Sequence, residues 1–379
     1  CIVTPALATA THLSLPLTYF DLIWLRFHPV ERIFFYSLPL PNSDPCFFFD
    51  KVAPKLKTSL SRTLQHFLPL AGNVIWPSDS PKPFIQFNPG DGVSLVLAQC
   101  HDDSDFDHFL DYSPREATQS RTLVPILDSS DSLASVISLQ ITLFPKKGFC
   151  IGITSHHAVL DGKSSTMFIK AWAYACKSGE EESPPSLVPE LEPLFDRELI
   201  KDPMDLESVF INNWTQMDPS GTSNGRSLKI ISRPMEEHLV RATFELTRED
   251  LEKIKKRVLS MWELVEEEAE PNLASSKPTT LSTFVTTIAY VSVCISKAIH
   301  GAQNIEKFAL GFNVDCRARP AKVEITSVDR GLNIGLADSK DGKGGVEVGL
   351  VLDKQVMDLF HVYFHADSGT YINPGDSPI

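Results

Sequence analysis

Between Phe149 and Lys177 the chain changes its hydrophobic period once, and the change isolates a pair of histidines. Phe149, Ile151 and Ile153 alternate with Cys150, Gly152 and Thr154, the two-residue repeat of a strand. The alternation ends at His156 and His157. Asp161 and Gly162 then open a run in which Met167, Phe168, Ala171, Trp172 and Ala175 fall at helical spacing. The pattern predicts strand, turn and helix, with two imidazoles at the turn, where a rigid strand end holds side chains that face a cleft.

Other elements follow from the same reading. Residues 133–144 and 148–154 read as paired strands joined at 145–148, and residues 84–87 and 93–98 as short strands across the turn at 88–92. Residues 13–36 form a core-packing segment with a helix near its middle. Val52, Leu56, Leu60 and Leu64 recur every four residues behind Asp50, which suits an N-cap, and the helix ends near Pro69. Later, Ala242, Phe244 and Leu246 alternate, and Thr247 precedes a charged helix from Arg248 to about Ala269. Residues 279–299 read as a buried helix and 308–314 as a strand. Residues 332–338 and 345–352 form a hairpin around Asp341-Gly342, and 354–365 a last helix.

At 379 residues the chain exceeds what one core usually holds, so two domains are expected. The character changes at 178–205, where three glutamates precede prolines 184, 185, 189, 193 and 203. Proline fixes its own backbone and biases its neighbour toward extended geometry, so regular structure is not expected there. The division is a domain at 1–185, a linker at 186–205 and a second domain at 206–379.

Composition narrows the function more than the fold. Hydrophobic residues at 42% and charged residues at 22% describe an ordinary globular protein. A net charge of -13 argues against nucleic-acid binding, and an anionic ligand would need a local basic patch. The seven scattered cysteines form no disulfide framework and fit a cytoplasmic protein. The chain opens on Cys1, and nothing after it resembles a signal peptide. The uncharged run 278–296 has the length of a membrane span but carries many hydroxyl side chains, so a buried helix and no membrane partner are expected.

Three readings of the histidine doublet stand side by side. A neutral imidazole titrates near about 6.5 and can take a proton from an attacking alcohol, which makes His157 a candidate general base. It equally suits a hydrogen-bonded core histidine. Metal binding by His156, His157 and Asp161 is a third option, but no second ligand cluster supports it, and no metal is expected. Asp161 is read as holding the loop. His101 and Asp105 have the same separation inside a polar run, so spacing alone is not decisive.

At these residues the chain resembles the plant BAHD acyltransferases, whose signature is His-x-x-x-Asp in this setting. Residues 15–21 (LPLTYFD), 67–73 (FLPLAGN) and 313–319 (NVDCRAR) are similar to family segments in family order. Residues 335–350 resemble the closing hairpin of the branch that acylates anthocyanin and phenolic glucosides. The resemblance implies an α/β, two-domain chloramphenicol-acetyltransferase-like fold around a channel, acting as a monomer. It implies acyl-CoA as co-substrate, malonyl-CoA first, with no bound cofactor, and a hydroxyl of a phenolic or flavonoid glucoside as acceptor. His157 would be the base and Arg317 the partner of Asp161. Ser282 and Thr283 are candidates for CoA contact, with helix capping as their plainer role, and Lys163 for the malonyl carboxylate, with an exposed turn lysine as its plainer role. Peptide-synthetase condensation domains share the His-His-x-x-x-Asp-Gly pattern, but the flanking segments fit the plant family better.

One family feature is missing. The Asp-Phe-Gly-Trp-Gly signature expected between the arginine-rich segment and the hairpin is absent, and Arg319 runs directly into 320–324, which resembles what normally follows it. The join has the look of an internal deletion, leaving the C-terminal domain incomplete. The alternative function is therefore an impaired or inactive relative, acting at most as a binding protein.

Overall fold

The computed structural model describes residues 1–6, 12–101, 105–178, 187–217, 225–231, 238–268, 280–301 and 334–368. They divide into two compact units, Cys1–Leu110 with Ser120–Pro234, and Asp111–Gln119 with Met235–Ile379.

The first unit holds β1 (Ile2–Val3), β2 (Leu13–Pro16), β3 (Val30–Ser37), β4 (Asn73–Ile75), β5 (Phe84–Phe87) and β6 (Val93–Gln99). The second takes β7 (Arg115–Glu116), and the first resumes with β8 (Leu133–Ser135), β9 (Ile137–Phe144) and β10 (Gly148–Ser155). One sheet runs β1-β6-β9-β10-β3 and another β2-β5-β4-β8. All pairings are antiparallel except that of β6 with β9. β5 and β6, the two short strands expected on either side of the turn at 88–92, enter different sheets, so that turn changes layers rather than closing a hairpin.

Every residue of β9 and β10 is buried. Phe149, Ile151 and Ile153 join the main core, which helices Ala53–Leu64 and Gly162–Lys177 cover, while Cys150 joins a smaller cluster with Phe106, Leu123 and Phe144 on the other face. The two helices are tied at Trp172, whose indole N–H reaches the Leu56 carbonyl and the Ser59 hydroxyl, each at 3.0 Å. Leu56, Leu60 and Leu64 face inward as their spacing predicts, yet Asp50 is no cap. The helical run begins earlier, where the Asp44 carboxylate accepts from Phe47 N–H at 3.2 Å, and Asp50 lies inside a π-helical turn, Phe48–Val52. A π turn absorbs one extra residue, which shifts the apparent start of the four-residue repeat.

Polar groups on the second face of the sheet are satisfied by backbone lying across it. Gln140 Nε2 donates to the Thr122 carbonyl at 2.8 Å, and the Thr154 hydroxyl to the Pro125 carbonyl at 2.5 Å. Gly152 is the residue that permits this approach: a Cβ there would sit 1.8 Å from the Leu123 carbonyl oxygen.

The expected linker at 186–205 belongs instead to the first unit, which runs on to Pro234. Leu187 is buried in the main core, with Leu191 and Phe195 packed against it. Proline content reported the irregular backbone correctly, but irregular backbone that carries apolar side chains still docks. Helix Leu206–Gln216 follows, and Ile231 N–H bonds the Arg26 carbonyl at 2.9 Å.

In the second unit the sheet order is β12 (Ile334–Asp338), β13 (Val346–Asp353), β11 (Leu239–Leu246) and β7. Val240, Ala242, Phe244 and Leu246 are buried on one face with helices Arg248–Glu268, Thr283–His300 and Lys354–Ser368. Thr247 caps its helix as expected, its hydroxyl accepting from Asp250 N–H at 3.2 Å and donating to the Asp250 carboxylate at 2.6 Å. The hairpin turns at Gly342, whose φ of 66° suits glycine. Among the described residues one helix, Thr283–His300, is long and apolar enough to cross a bilayer, and 44% of it is buried inside the protein. The strand expected at 308–314 lies outside the described residues.

Because the group that would collide with a side chain at Gly152 is backbone, alanine there should cost about 2 kcal/mol or more. The measurement is the unfolding midpoint of Gly152→Ala in thermal or denaturant melts, and an unchanged midpoint would contradict the close approach.

Candidate active site

The histidine doublet sits where β10 stops. Ser155 still pairs with Val30 and Ile137, and His156 N–H bonds the Val136 carbonyl at 2.8 Å, so the strand is held on both sides to its last residue. The chain then turns on the His156 carbonyl, which accepts from Val159 N–H at 3.0 Å and Leu160 N–H at 3.3 Å. Asp161 ends the turn by capping helix Gly162–Lys177, its carboxylate accepting from Ser164 N–H at 2.8 Å.

The two histidines have different surroundings. His156 is fully buried; its Nδ1 accepts from Ala158 N–H at 3.3 Å and its Nε2 makes no hydrogen bond. Burial, with the neighbouring His157 adding to it, pushes its pKa down to about 4. His157 is half-buried, with Nδ1 inside and no well-formed hydrogen bond to it. Burial also lowers its pKa, opposed by its own backbone and by the Asp161 carboxylate. Both rings are therefore uncharged near neutral pH, the state a base must start from.

Aromatic rings enclose His157. The Trp24 indole lies parallel to the imidazole at 4.1 Å and 6°, and Phe27 meets it edge-on at 5.8 Å and 86°. Nearby, Asp21 is largely buried. Its carboxylate accepts from Thr18 N–H and the Thr18 hydroxyl at 2.8 Å, and from Arg197 Nη1 at 3.2 Å. Burial raises its pKa, the Arg197 charge and the Thr18 bonds lower it, and Asp161 adds a small upward push.

Of the residues singled out in sequence, the structure brings His157 and Asp161 together. Lys163 is exposed in the first turn of the capped helix. Ser282 lies in the second unit, where its hydroxyl accepts from Val285 N–H at 3.2 Å as the cap of helix Thr283–His300, and Thr283 is the first residue of that helix. Arg317 lies outside the described residues. Among the described residues no three His, Cys, Asp or Glu side chains gather as a metal site, and no cysteine is in a disulfide. Trp24, Phe27, Asp21 and Arg197 were not predicted as site residues, although Asp21 closes the segment 15–21 that carried part of the family resemblance.

The model of the Transferase family matches residues 1–328. Phenolic glucoside malonyltransferase 1 of Arabidopsis thaliana is 33% identical over 462 residues, taking in 96% of this chain and 95% of that one. The chain belongs to the BAHD acyltransferase family. Among BAHD relatives, the malonyl-CoA:anthocyanidin 5-O-glucoside-6''-O-malonyltransferase of the same plant is 42% identical over 313 residues, or 82% of this chain and 64% of its own length. Vinorine synthase superposes with a TM-score of 0.56 at 16% identity, over 95% of each chain, which shows the shared two-domain acyltransferase fold. The alignment with malonyltransferase 1 is longer than this whole chain, so it passes over positions where this BAHD protein has no residue.

Two outcomes follow. A histidine whose folded pKa lies below its unfolded value leaves stability untouched above about 6.5 and removes it as pH falls, until both states hold the proton below about 4. His156 should thereby cost about 3 kcal/mol across that window. His156→Asn should flatten the slope of unfolding free energy against pH by about one proton. Asp161→Ala, which deletes the cap, should cost about 1 kcal/mol in the same denaturant experiment.

Proposed function

We propose that this chain is an acyl-CoA-dependent O-acyltransferase that moves a malonyl group from CoA to a hydroxyl of a phenolic or flavonoid glucoside, with His157 as general base. The observation that carries the reading is a half-buried imidazole, its pKa lowered by burial, fixed at the end of a doubly buried strand, in a chain that has several malonyltransferases among its relatives. In the proposed step His157 takes the acceptor's hydroxyl proton as its oxygen bonds to the thioester carbonyl carbon. The tetrahedral oxyanion collapses, the carbon–sulfur bond breaks, and the imidazolium returns its proton to the CoA thiolate, leaving ester and free CoA. The reading includes Arg317 as partner of Asp161, Lys163 as a charge for the malonyl carboxylate, and a cytoplasmic monomer that takes small molecules only.

A second reading is favoured by one observation, the relative's alignment that outruns the chain. If the missing positions form one internal block in the second domain, sheet partners and apolar cover leave with it. The chain would then be an impaired relative that retains ligand binding at most.

Release of free CoA from malonyl-CoA plus a phenolic glucoside separates the two. The transferase should release CoA only with acceptor present, and His157→Ala should lower the rate by about 10²–10⁴-fold. No release from a folded wild-type chain that still binds malonyl-CoA would favour the impaired relative.

A further inference from the structure

A base on a turn needs something to stop its ring from rotating, and His157 Nδ1 has no well-formed hydrogen bond to do so. The contacts present are aromatic. Trp24 stacks on one face of the imidazole at 4.1 Å, Phe27 meets its edge at 5.8 Å, and Trp24 and Phe27 touch each other edge to face at 5.1 Å and 90°. A parallel stack occupies a face of the imidazole and leaves its nitrogens, which lie in the ring plane, unobstructed by the indole. Stacked and edge-to-face ring contacts are directional, so together they favour one orientation of the imidazole.

The indole is itself anchored from far along the chain. It follows the short helix Tyr19–Leu22, whose Leu22 carbonyl accepts from Trp214 Nε1 at 2.7 Å and whose Asp21 carboxylate accepts from Arg197 at 3.2 Å. Behind it, Arg26 Nε donates to the Lys229 carbonyl at 3.2 Å. The segment presenting Trp24 is thus clamped at both ends by residues of the 187–231 stretch.

We propose that Trp24 is a positioning residue: its indole fixes the plane of the His157 imidazole and keeps water from one of its faces. The inference rests on His157 being the base. Asp161 on its own turn and His156 beside it act on the ring, and the segment that carries Trp24 also bears Asp21, Arg26 and His28. None of them changes when the indole is removed. What changes is hydration, which favours the charged imidazole, so His157 without its indole should titrate higher and hold less free base in mild acid.

Histidine-labelled nuclear magnetic resonance on the whole chain, assigned with His157→Gln, tests the stack without relying on turnover. In the wild type the His157 ring proton signal should lie upfield of a solvent-exposed imidazole, shifted by the indole ring current. Trp24→Leu should abolish that shift and raise the titration midpoint toward about 6.5. It should also lower kcat/KM about ten- to a hundredfold at pH 6, and by less at pH 8. Trp24→Phe should recover much of both effects. A wild-type His157 signal without the upfield shift, or a midpoint unmoved in Trp24→Leu, overturns the positioning role. The wild-type signal decides even if the leucine variant does not fold. Acyl transfer that survives in His157→Ala overturns the base assignment and, with it, the catalytic part of this role.

Discussion

The constraint on which the candidate site depends is the closure of β10 on every side. β9 and β3 take its backbone hydrogen bonds in register from Gly148 to Ser155. The helix layer covers one face, and the 122–125 backbone lies on the other. Such a strand has nowhere to shift, because a slip of one residue would exchange its two faces and drive Cys150 and Thr154 into the apolar core. The histidine doublet inherits that rigidity at no cost of its own.

Burial then divides the doublet. His156 continues the strand and disappears from solvent, serving the turn through its backbone and Nδ1. His157 is set one residue later, half in and half out, and its charge state is governed by lost hydration more than by any partner. Asp161 matters here chiefly as the helix cap. Its carboxylate accepts from Ser164 N–H, and it acts on His157 through its charge. The four-residue spacing in the motif is therefore accounted for locally: one turn hung on the His156 carbonyl, then the residue that starts a helix.

What could be read beforehand were the features with a short-range physical signature. The strand announced itself because its alternating side chains feed two different clusters, the long helix because Thr247 and Asp250 cap it, and the hairpin because Asp341-Gly342 supplies the turn. Long-range choices were silent. A five-residue turn reads alike whether its strands pair or part company, so β5 and β6 gave no warning that they enter different sheets. Proline richness at 184–203 says the backbone is irregular, but not that Leu187 is buried. Trp24 looked like one more aromatic residue in an apolar stretch, and only tertiary structure lays it on an imidazole from a distant strand.

The excursion of Asp111–Gln119 into the second unit has a consequence for how the chain is made. β7 leaves the ribosome well before β11, the strand it pairs with, and must wait while the rest of the first unit is synthesised. The earlier body meanwhile needs residues up to Ile231 to finish its own surface. A cut after Pro234 would therefore leave β7 on one fragment and β11, the strand it pairs with, on the other.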